Sequence, residues 1–238
     1  MKKERRKLKK MPNTKDIKLT HLKVLVWGEA FSGKTTFAST FPRPFFFDLD
    51  NKMSSLAGKD IEYETYTGAK GYRKFRIDLP KIAERDDIDT LVVDGLSSMH
   101  SFLMDEIMML SEETKSGLPE IKHYRIQIIK LQKFFYELIL YPKHIVLTAH
   151  EQIFQDEVTK EVFVLPLVVG SKLPQRLGNW FTEFYHMESV NTKEGLRYKI
   201  RTRKSRRYSC GSCIGNLDEL EEPDFNVIMA KAKKGGKM

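Results

Sequence analysis

The stretch that most constrains this chain is a glycine-rich loop, set between an apolar segment and a segment that can form a helix. Gly28 to Thr35 reads Gly-Glu-Ala-Phe-Ser-Gly-Lys-Thr, which fits the pattern G-x-x-x-x-G-K-[ST]. Residues 23–27 before it are apolar and β-prone, and residues 36–40 after it can open a helix. In this setting the loop turns successive backbone N–H groups toward a phosphate at the positive end of a helix. The sequence therefore predicts a site for the phosphates of a nucleotide.

The positions of this loop carry distinct expected roles. The ammonium of Lys34 would reach the β- and γ-phosphates, and the hydroxyl of Thr35 would ligate Mg²⁺. Gly28 and Gly33 would allow the turn and the close approach of phosphate. The residues expected to surround the phosphates are Gly28, Glu29, Ala30, Phe31, Ser32, Gly33, Lys34, Thr35 and Thr36.

Acidic residues end two other apolar runs. Asp94 stands where nucleoside triphosphatases place the carboxylate that holds Mg²⁺, although an aspartate at a strand end can also simply cap a turn. Because Gly95 comes next, the chain lacks the Asp-Glu pair of AAA-type ATPases, and a base that polarises water must come from another strand. Asp48 and Asp50, which follow the run Phe45–Phe47, are available for that role.

Strand-like segments alternate with helix-like segments along the chain. Strands are predicted at residues 22–27, 45–50, 61–66, 90–95, 144–150, 181–187 and 196–202, and helices at 78–86, 98–110 and 120–141. Residues 151–175 are predicted to form a long loop or a hairpin. On the last of these helices, Ile126, Ile129, Phe134 and Leu138 are expected to face the core. Such alternation favours a parallel α/β sheet.

Length and charge divide the chain into one domain and two basic tails. Its 238 residues, 41% of them hydrophobic, suit a single domain at 20–229. Residues 1–19 hold nine Lys and Arg against two acids, and residues 230–238 hold four lysines. Such tails suit nucleic acid, but they can equally serve only solubility. We find no apolar run typical of a signal peptide or a membrane span, and we expect a cytoplasmic protein.

The two cysteines form one isolated pair. Cys210 and Cys213 are spaced as C-x-x-C, and no second pair completes the four ligands of a structural zinc site. The pattern predicts reduced thiols in a tight turn and a reducing compartment. A metal or redox role is the less favoured alternative.

The order of these features resembles a known family. Four features follow one another in an order that is similar to that of RecA-like ATPases. They are the phosphate loop, an apolar strand that ends in acids at Asp50, a strand that ends at Asp94, and a strand that ends at His150. The chain looks most like the small phage-encoded members, among them single-strand-annealing recombinases, over roughly residues 20–210. The resemblance implies a mostly parallel central sheet with helices on both faces, ATP and Mg²⁺ as ligands, and single-stranded DNA as a partner. It also implies self-association into a ring or filament and contact with a single-stranded-DNA-binding protein.

The resemblance also implies roles for particular residues. Asp50 matches the catalytic glutamate of RecA and is one methylene shorter, and His150 matches the glutamine that senses the γ-phosphate. The segment after His150 matches a DNA-binding loop, which here has aromatic residues that can stack on bases. The remaining candidates for DNA contact are Lys160, Lys172 and Arg176, and those for reaching the ATP of a neighbouring subunit are Arg203, Lys204 and Arg206.

These observations predict a Mg²⁺-dependent, DNA-stimulated ATPase acting on single-stranded DNA in phage recombination or replication, in the host cytoplasm. A P-loop kinase of a nucleotide or small molecule, with the arginine run as a phosphate clamp, is the alternative from another class. A non-hydrolytic, ATP-gated DNA-binding assembly protein is the third, because Asp50 and His150 replace the family's Glu and Gln. No Asn-Lys-x-Asp motif follows the loop, which disfavours a GTPase.

Overall fold

A computed structural model describes Asn13 and residues 20–111, 117–155, 157–193 and 195–235. The predicted tail at 1–19 lies outside these residues apart from Asn13. The strands are β1 Lys23–Gly28, β2 Pro44–Asp48, β3 Glu62–Thr65, β4 Thr90–Asp94, β5 His144–Gln155, β6 Val162–Pro166, β7 Glu183–Thr192, β8 Gly195–Arg201, β9 Gly211–Ser212 and β10 Leu220–Glu221. The α-helices are α1 Lys34–Ala38, α2 Gly68–Ala83, α3 Leu96–Met109, α4 Ile121–Leu140, α5 Lys172–Arg176 and α6 Phe225–Gly235, and 3₁₀ helices span Met53–Leu56 and Leu177–Asn179.

The sheet is parallel at its centre and antiparallel at one edge. Its order is β10-β8-β7-β1-β5-β4-β2-β3, with β6 paired to β5 and β9 to β7 outside that path. The six adjacent strands β7, β1, β5, β4, β2 and β3 pair in parallel. Strand β8 pairs antiparallel with both β7 and β10. Strand β1, which leads into the phosphate loop, has β5 between it and the acid strand β4. The carboxyl ends of β1, β5 and β4 therefore meet at one edge of the sheet.

Helices cover both faces of this sheet. Along β1, Leu25 and Trp27 belong to one buried cluster with α2, α3 and α4, while Val24 and Val26 belong to a second cluster with α1 and α6. All four side chains are fully buried. Continuous burial on both faces is typical of central parallel strands. The predicted fold class, an α/β domain with a mostly parallel central sheet and helices on both faces, is confirmed.

Helix α4 packs with a different face than its sequence predicted. Phe134 and Leu138 are buried as expected, but Ile126 and Ile129 are 41% and 53% exposed, so their prediction as core residues was wrong. The core-facing stripe instead includes His123 and Gln127. Glu120 N–H donates to His123 Nδ1 and Gln127 Nε2 donates to His100 O, which offsets part of the cost of burying these polar groups. Within the described residues, Gln127 Oε1 is buried without a hydrogen-bond partner.

Several other boundaries also differ from the sequence prediction. Helix α2 begins at Gly68, ten residues before the predicted start, and β5 continues to Gln155 to form a hairpin with β6. Helix α6 runs to Gly235, so the predicted C-terminal tail does not begin at 230. It continues because Ile228 is buried and Lys231 pairs with the acids Asp218 and Glu221.

Among the helices of the described residues, none combines the length and apolar character that a membrane crossing requires.

Candidate nucleotide site

The phosphate loop leaves the sheet at a crowded point between β5 and β7. A Cβ on Gly28 would come within 2.7 Å of the Met187 carbonyl oxygen on β7, so only glycine fits there. Gly33 precedes α1 with φ of 89°, and the ring of Tyr198 on β8 lies against it. The loop is therefore positioned by β7 and β8 as well as by its own strand.

The ammonium of Lys34 is held inside the loop. Its Nζ donates to Gly28 O at 3.0 Å, to Glu29 O at 2.5 Å and to Ser32 Oγ at 3.3 Å. Burial lowers the pKa of Lys34 to about 8, although the nearby carboxylates Asp94 and Asp50 act in the opposite direction. All three of these partners are neutral oxygens, so the positive charge is not paired by them and suits the phosphates of a nucleotide.

Thr35 and Asp94, the predicted Mg²⁺ ligands, are in direct contact. Thr35 Oγ1 donates to Asp94 Oδ2 at 2.9 Å, and Thr148 on β5 donates to Oδ1 at 2.6 Å. Burial raises the pKa of Asp94 to about 6, because two hydroxyls only partly offset the loss of water around its charge. A hydroxyl and a carboxylate oxygen are the hard ligands that Mg²⁺ takes beside a nucleotide, so these residues fit the ion.

Asp50 and His150 come together beside this pair. His150 Nε2 lies 3.3 Å from Asp50 Oδ2, and Ser98 Oγ donates to Asp50 Oδ1 at 2.5 Å. Burial alone would raise the pKa of Asp50, but the hydrogen bonds from His150 and Ser98 hold it below the usual value. Asp50 is thus a charged base at neutral pH, and it faces the phosphate loop.

The alternative acid, Asp48, is turned elsewhere. It is buried, and its oxygens accept hydrogen bonds from Lys52 N–H at 3.3 Å and from Thr65 Oγ1 at 3.1 Å. Asp48 therefore fixes the turn after β2 and the neighbouring strand β3, which leaves Asp50 as the acid of this pair that enters the site.

These groups line one open cavity of about 350 Å³. Sequence reasoning missed Lys52, Ser54 and Ser55 in its wall, because the residues that follow Asp50 have no motif. It also missed two hydroxyls behind the cavity, Ser98, which bonds Asp50, and Thr148, which bonds Asp94. One feature of the sequence could have identified Thr148, namely its hydroxyl near the end of an apolar strand, which pairs with the strand of Asp94. The lining residues are Phe31, Ser32, Gly33, Lys34, Thr35, Thr36, Asp50, Lys52, Ser54, Ser55, Asp94 and His150.

The predicted DNA-contact residues do not form one cluster with this cavity. Lys160 lies at the exposed turn of the β5–β6 hairpin, and Lys172 and Arg176 lie on α5. The aromatic pair of the hairpin, Phe154 and Phe163, stacks with ring centroids 5.8 Å apart.

The basic run after β8 also lies away from the cavity of its own chain. Arg203 Nη2 donates to Leu217 O at 2.6 Å, and Arg206 forms an exposed ion pair with Glu161 at 2.6 Å. Lys204 is exposed. Arg201 is saturated by Glu188 and Glu219.

The two cysteines are free thiols, Cys210 buried and Cys213 exposed. Burial raises the pKa of Cys210 to about 12, which makes it unreactive. Across the described stretches of the chain, no group of three or more His, Cys, Asp or Glu side chains is arranged to hold a metal ion.

Fold and cavity together define a nucleotide-binding P-loop ATPase domain of the AAA/RecA-like type. The chain belongs to the family described as an AAA domain, which it matches over residues 20–212. No curated protein is significantly similar to it. Among solved structures, a KaiC-like protein from the archaeon Pyrococcus horikoshii is similar with 15% identity and a TM-score of 0.44, covering 78% of this chain and 79% of that one. The assignment rests on the family match, the loop and the strand order.

Proposed function

We propose that this domain is a Mg²⁺-dependent ATPase whose turnover is stimulated by single-stranded DNA. One observation supports it above the others. The cavity gathers the lysine of the phosphate loop, a hydroxyl–carboxylate pair for Mg²⁺, and a separate charged carboxylate, Asp50, backed by His150. A phosphoryl-transfer site needs positioning and charge compensation together with a group that orients water.

Each side chain has a part in the proposed reaction. Lys34 would bind the β- and γ-phosphates, and Thr35 with Asp94 would hold Mg²⁺, which when bound would supply charge neutralisation. Asp50 accepts a hydrogen bond from the attacking water and orients it. His150, which contacts Asp50, keeps that carboxylate in place, and its position in the cavity lining would allow it to sense the γ-phosphate. In this reaction water is the acceptor of the γ-phosphoryl group, so no second substrate is required.

The same end of the sheet supports coupling to DNA. Ser97, at the start of α3, donates to Leu167 O and accepts from His150 N–H, both at 3.0 Å, and Leu167 N–H donates to His150 O at 2.7 Å. His150, which contacts Asp50, is therefore linked by backbone hydrogen bonds to Ser97 and Leu167 at the base of the β5–β6 hairpin. The stacked rings of Phe154 and Phe163 on that hairpin suit contact with bases of a single strand.

Assembly would complete the site. Arg203, Lys204 and Arg206 lie outside the cavity of their own chain, as a residue acting on a neighbour's ATP must. We therefore propose a ring or filament in which one of them offsets charge on the neighbour's γ-phosphate. From the resemblance in sequence pattern alone, we also propose a role in phage recombination or replication in the host cytoplasm, in company with a single-stranded-DNA-binding protein.

The test is ATP turnover with and without single-stranded DNA, together with particle sizing. Stimulation by DNA and growth of the particle with ATP are expected. Phe154→Ala and Phe163→Ala should lower DNA affinity about tenfold and remove stimulation, while basal turnover persists. Tyr136→Ala, which removes an exposed aromatic from α4, is the control.

Other outcomes would favour the alternative functions. Phosphate transfer to a small molecule by a monomer would favour the kinase. ATP-dependent assembly on DNA without turnover would favour the non-hydrolytic protein.

A further inference from the structure

One wall of the cavity is formed by a segment that no motif marks. Lys52, Ser54 and Ser55 follow strand β2 and face the phosphate loop across the cavity. Lys52 lies at the start of the 3₁₀ helix, as its N-cap residue. The turn that carries it is well anchored, since Lys52 N–H donates to the buried carboxylate of Asp48, and Ser55 Oγ donates to Lys52 O at 3.1 Å. The backbone of Lys52 is thus set by the end of the sheet.

The side chain of Lys52 points toward the loop. Its Nζ lies over the ring of Phe31, 5.7 Å from the centroid, and the Phe31 side chain is 87% exposed. Lys52 is close enough to Lys34 and Asp50 to affect the charge of both. Within the described parts of the chain, its ammonium has no carboxylate at ion-pair distance. A cation without a paired carboxylate at the rim of a phosphate site is available to a ligand.

We propose that Lys52 is a second cation of the nucleotide site, supplied in cis, that contacts the terminal phosphate of ATP and thereby distinguishes ATP from ADP. Lys34 serves the phosphates from inside the loop, whereas Lys52 approaches from the opposite wall, on the side of Asp50 and His150. That is the side on which the third phosphate and the attacking water must lie if Asp50 orients the water. Phe31 positions the ammonium through the face of its ring.

This inference rests on the proposed function, since it assumes ATP as the ligand, but it can fail separately. Its readout is the affinity for a non-hydrolysable ATP analogue and for ADP, each measured by calorimetry with Mg²⁺. Lys52→Ala should weaken binding of the ATP analogue by about 10- to 100-fold, the loss of a charge-assisted contact, with little change for ADP. Lys52→Arg should retain the preference for the ATP analogue.

Two further variants make the result specific. Lys59→Ala removes a lysine seven residues further on, which donates to Ser39 Oγ outside the cavity, and it should bind both nucleotides as the wild type does. Phe31→Leu keeps an apolar side chain without the ring and should reduce affinity for the ATP analogue by about 2- to 5-fold. Thermal melting of each variant without nucleotide checks that the fold is retained.

Mixing of variants tests the claim that Lys52 acts in cis. A mixture of the Lys52→Ala and Lys34→Ala proteins should show no recovery of turnover, because no subunit then has both lysines. Recovery would mean that Lys52 serves a neighbour, and it would overturn the cis assignment. Equal loss of ATP-analogue and ADP affinity in Lys52→Ala, or no loss of either, would overturn the proposal itself. A wild type that binds neither nucleotide would instead refute the proposed function.

Discussion

The carboxylate of Asp50 lies directly against Gly95, so closely that a Cβ at residue 95 would be 2.3 Å from Asp50 Oδ1. Gly95 has φ of 117°, in the region that favours glycine, and it is the residue that follows Asp94 at the end of β4. AAA-type ATPases have a glutamate at that point of the chain. In this protein the glycine leaves room for an acid that arrives from the end of the neighbouring strand β2.

We expect Gly95→Ala to remove ATP turnover. The added methyl group would displace the Asp50 carboxylate from its bonds with Ser98 and His150, and the backbone at 95 would be strained. Turnover should fall by about 100-fold or more, as expected when a group that acts on the transition state is misplaced. Gly58→Ala, at another glycine of positive φ that has open space around it, is the control for backbone strain. Unchanged turnover in Gly95→Ala would show that Asp50, in the position described, does not orient the attacking water.

Asp50→Asn and Asp94→Asn should separate water activation from Mg²⁺ binding. Because Asp50 is proposed to act mainly in the transition state, its variant should lose turnover far more than ATP affinity. Asp94→Asn should instead weaken Mg²⁺-dependent ATP binding. Calorimetry with and without Mg²⁺ and steady-state turnover measure both effects. If Asp50→Asn hydrolyses ATP normally, the base is elsewhere. The next candidate is Glu151, which follows His150 on β5 and whose Oε2 lies 2.9 Å from His186 Nε2.

Lys34→Ala should abolish ATP hydrolysis and strongly weaken ATP binding while the protein still folds. Among the described residues, the hydrogen bonds of the ammonium go to groups of its own loop, Gly28 O, Glu29 O and Ser32 Oγ, and not to side chains of the core. Circular dichroism and thermal melting check the fold, and nucleotide binding checks the site. Turnover at the wild-type level would contradict the placement of the active site at this loop.

Binding to single-stranded DNA should weaken as salt rises. The proposed contacts are chiefly to phosphates, so affinity should fall by about 0.7 log units per contact for each tenfold rise in salt. Deleting residues 1–18, which lie outside the described part of the chain apart from Asn13, should flatten this slope and leave basal turnover intact. Fluorescence anisotropy at several salt concentrations measures it. A slope close to zero would argue against DNA binding through phosphates.

The protein should lose stability below pH 6.5, in part through His144. This side chain is buried among aromatic rings and accepts a hydrogen bond from Leu22 N–H through Nδ1 at 3.1 Å. Burial lowers the pKa of His144 to about 4, so the unfolded chain binds a proton first as the pH falls from 6.5 toward 4. Protonation of this group lowers the free energy of unfolding by at most about 3 kcal/mol.

His144→Asn tests this loss, because it keeps an acceptor near the position of Nδ1 and cannot titrate. Its unfolding free energy, measured in urea at pH 7 and pH 4.5, should decrease less between these values than that of the wild type. An equal decrease in both proteins would show that His144 is not the titrating group.

Features that depend on local pattern could be predicted before the structure was known. The phosphate loop, the acid at the end of β4 and the central strands were predictable, because glycine spacing and apolar runs buried on both faces constrain the chain wherever they occur. The α/β class followed from the alternation of strands and helices. Helix α4 was less predictable, because Ile126 and Ile129 are as apolar as residues in the core, and only packing against α3 decides which stripe faces inward.

The tertiary structure alone decided which side chains act together. Asp48 and Asp50 are equivalent acids in the sequence, but β3 binds one through Thr65, and the start of α3 binds the other through Ser98. The same holds for Lys52, which has no motif and reaches the site only because the chain turns back after β2. Contacts between strand ends depend on the order of strands in the sheet, and that order comes from interactions between segments far apart in the chain.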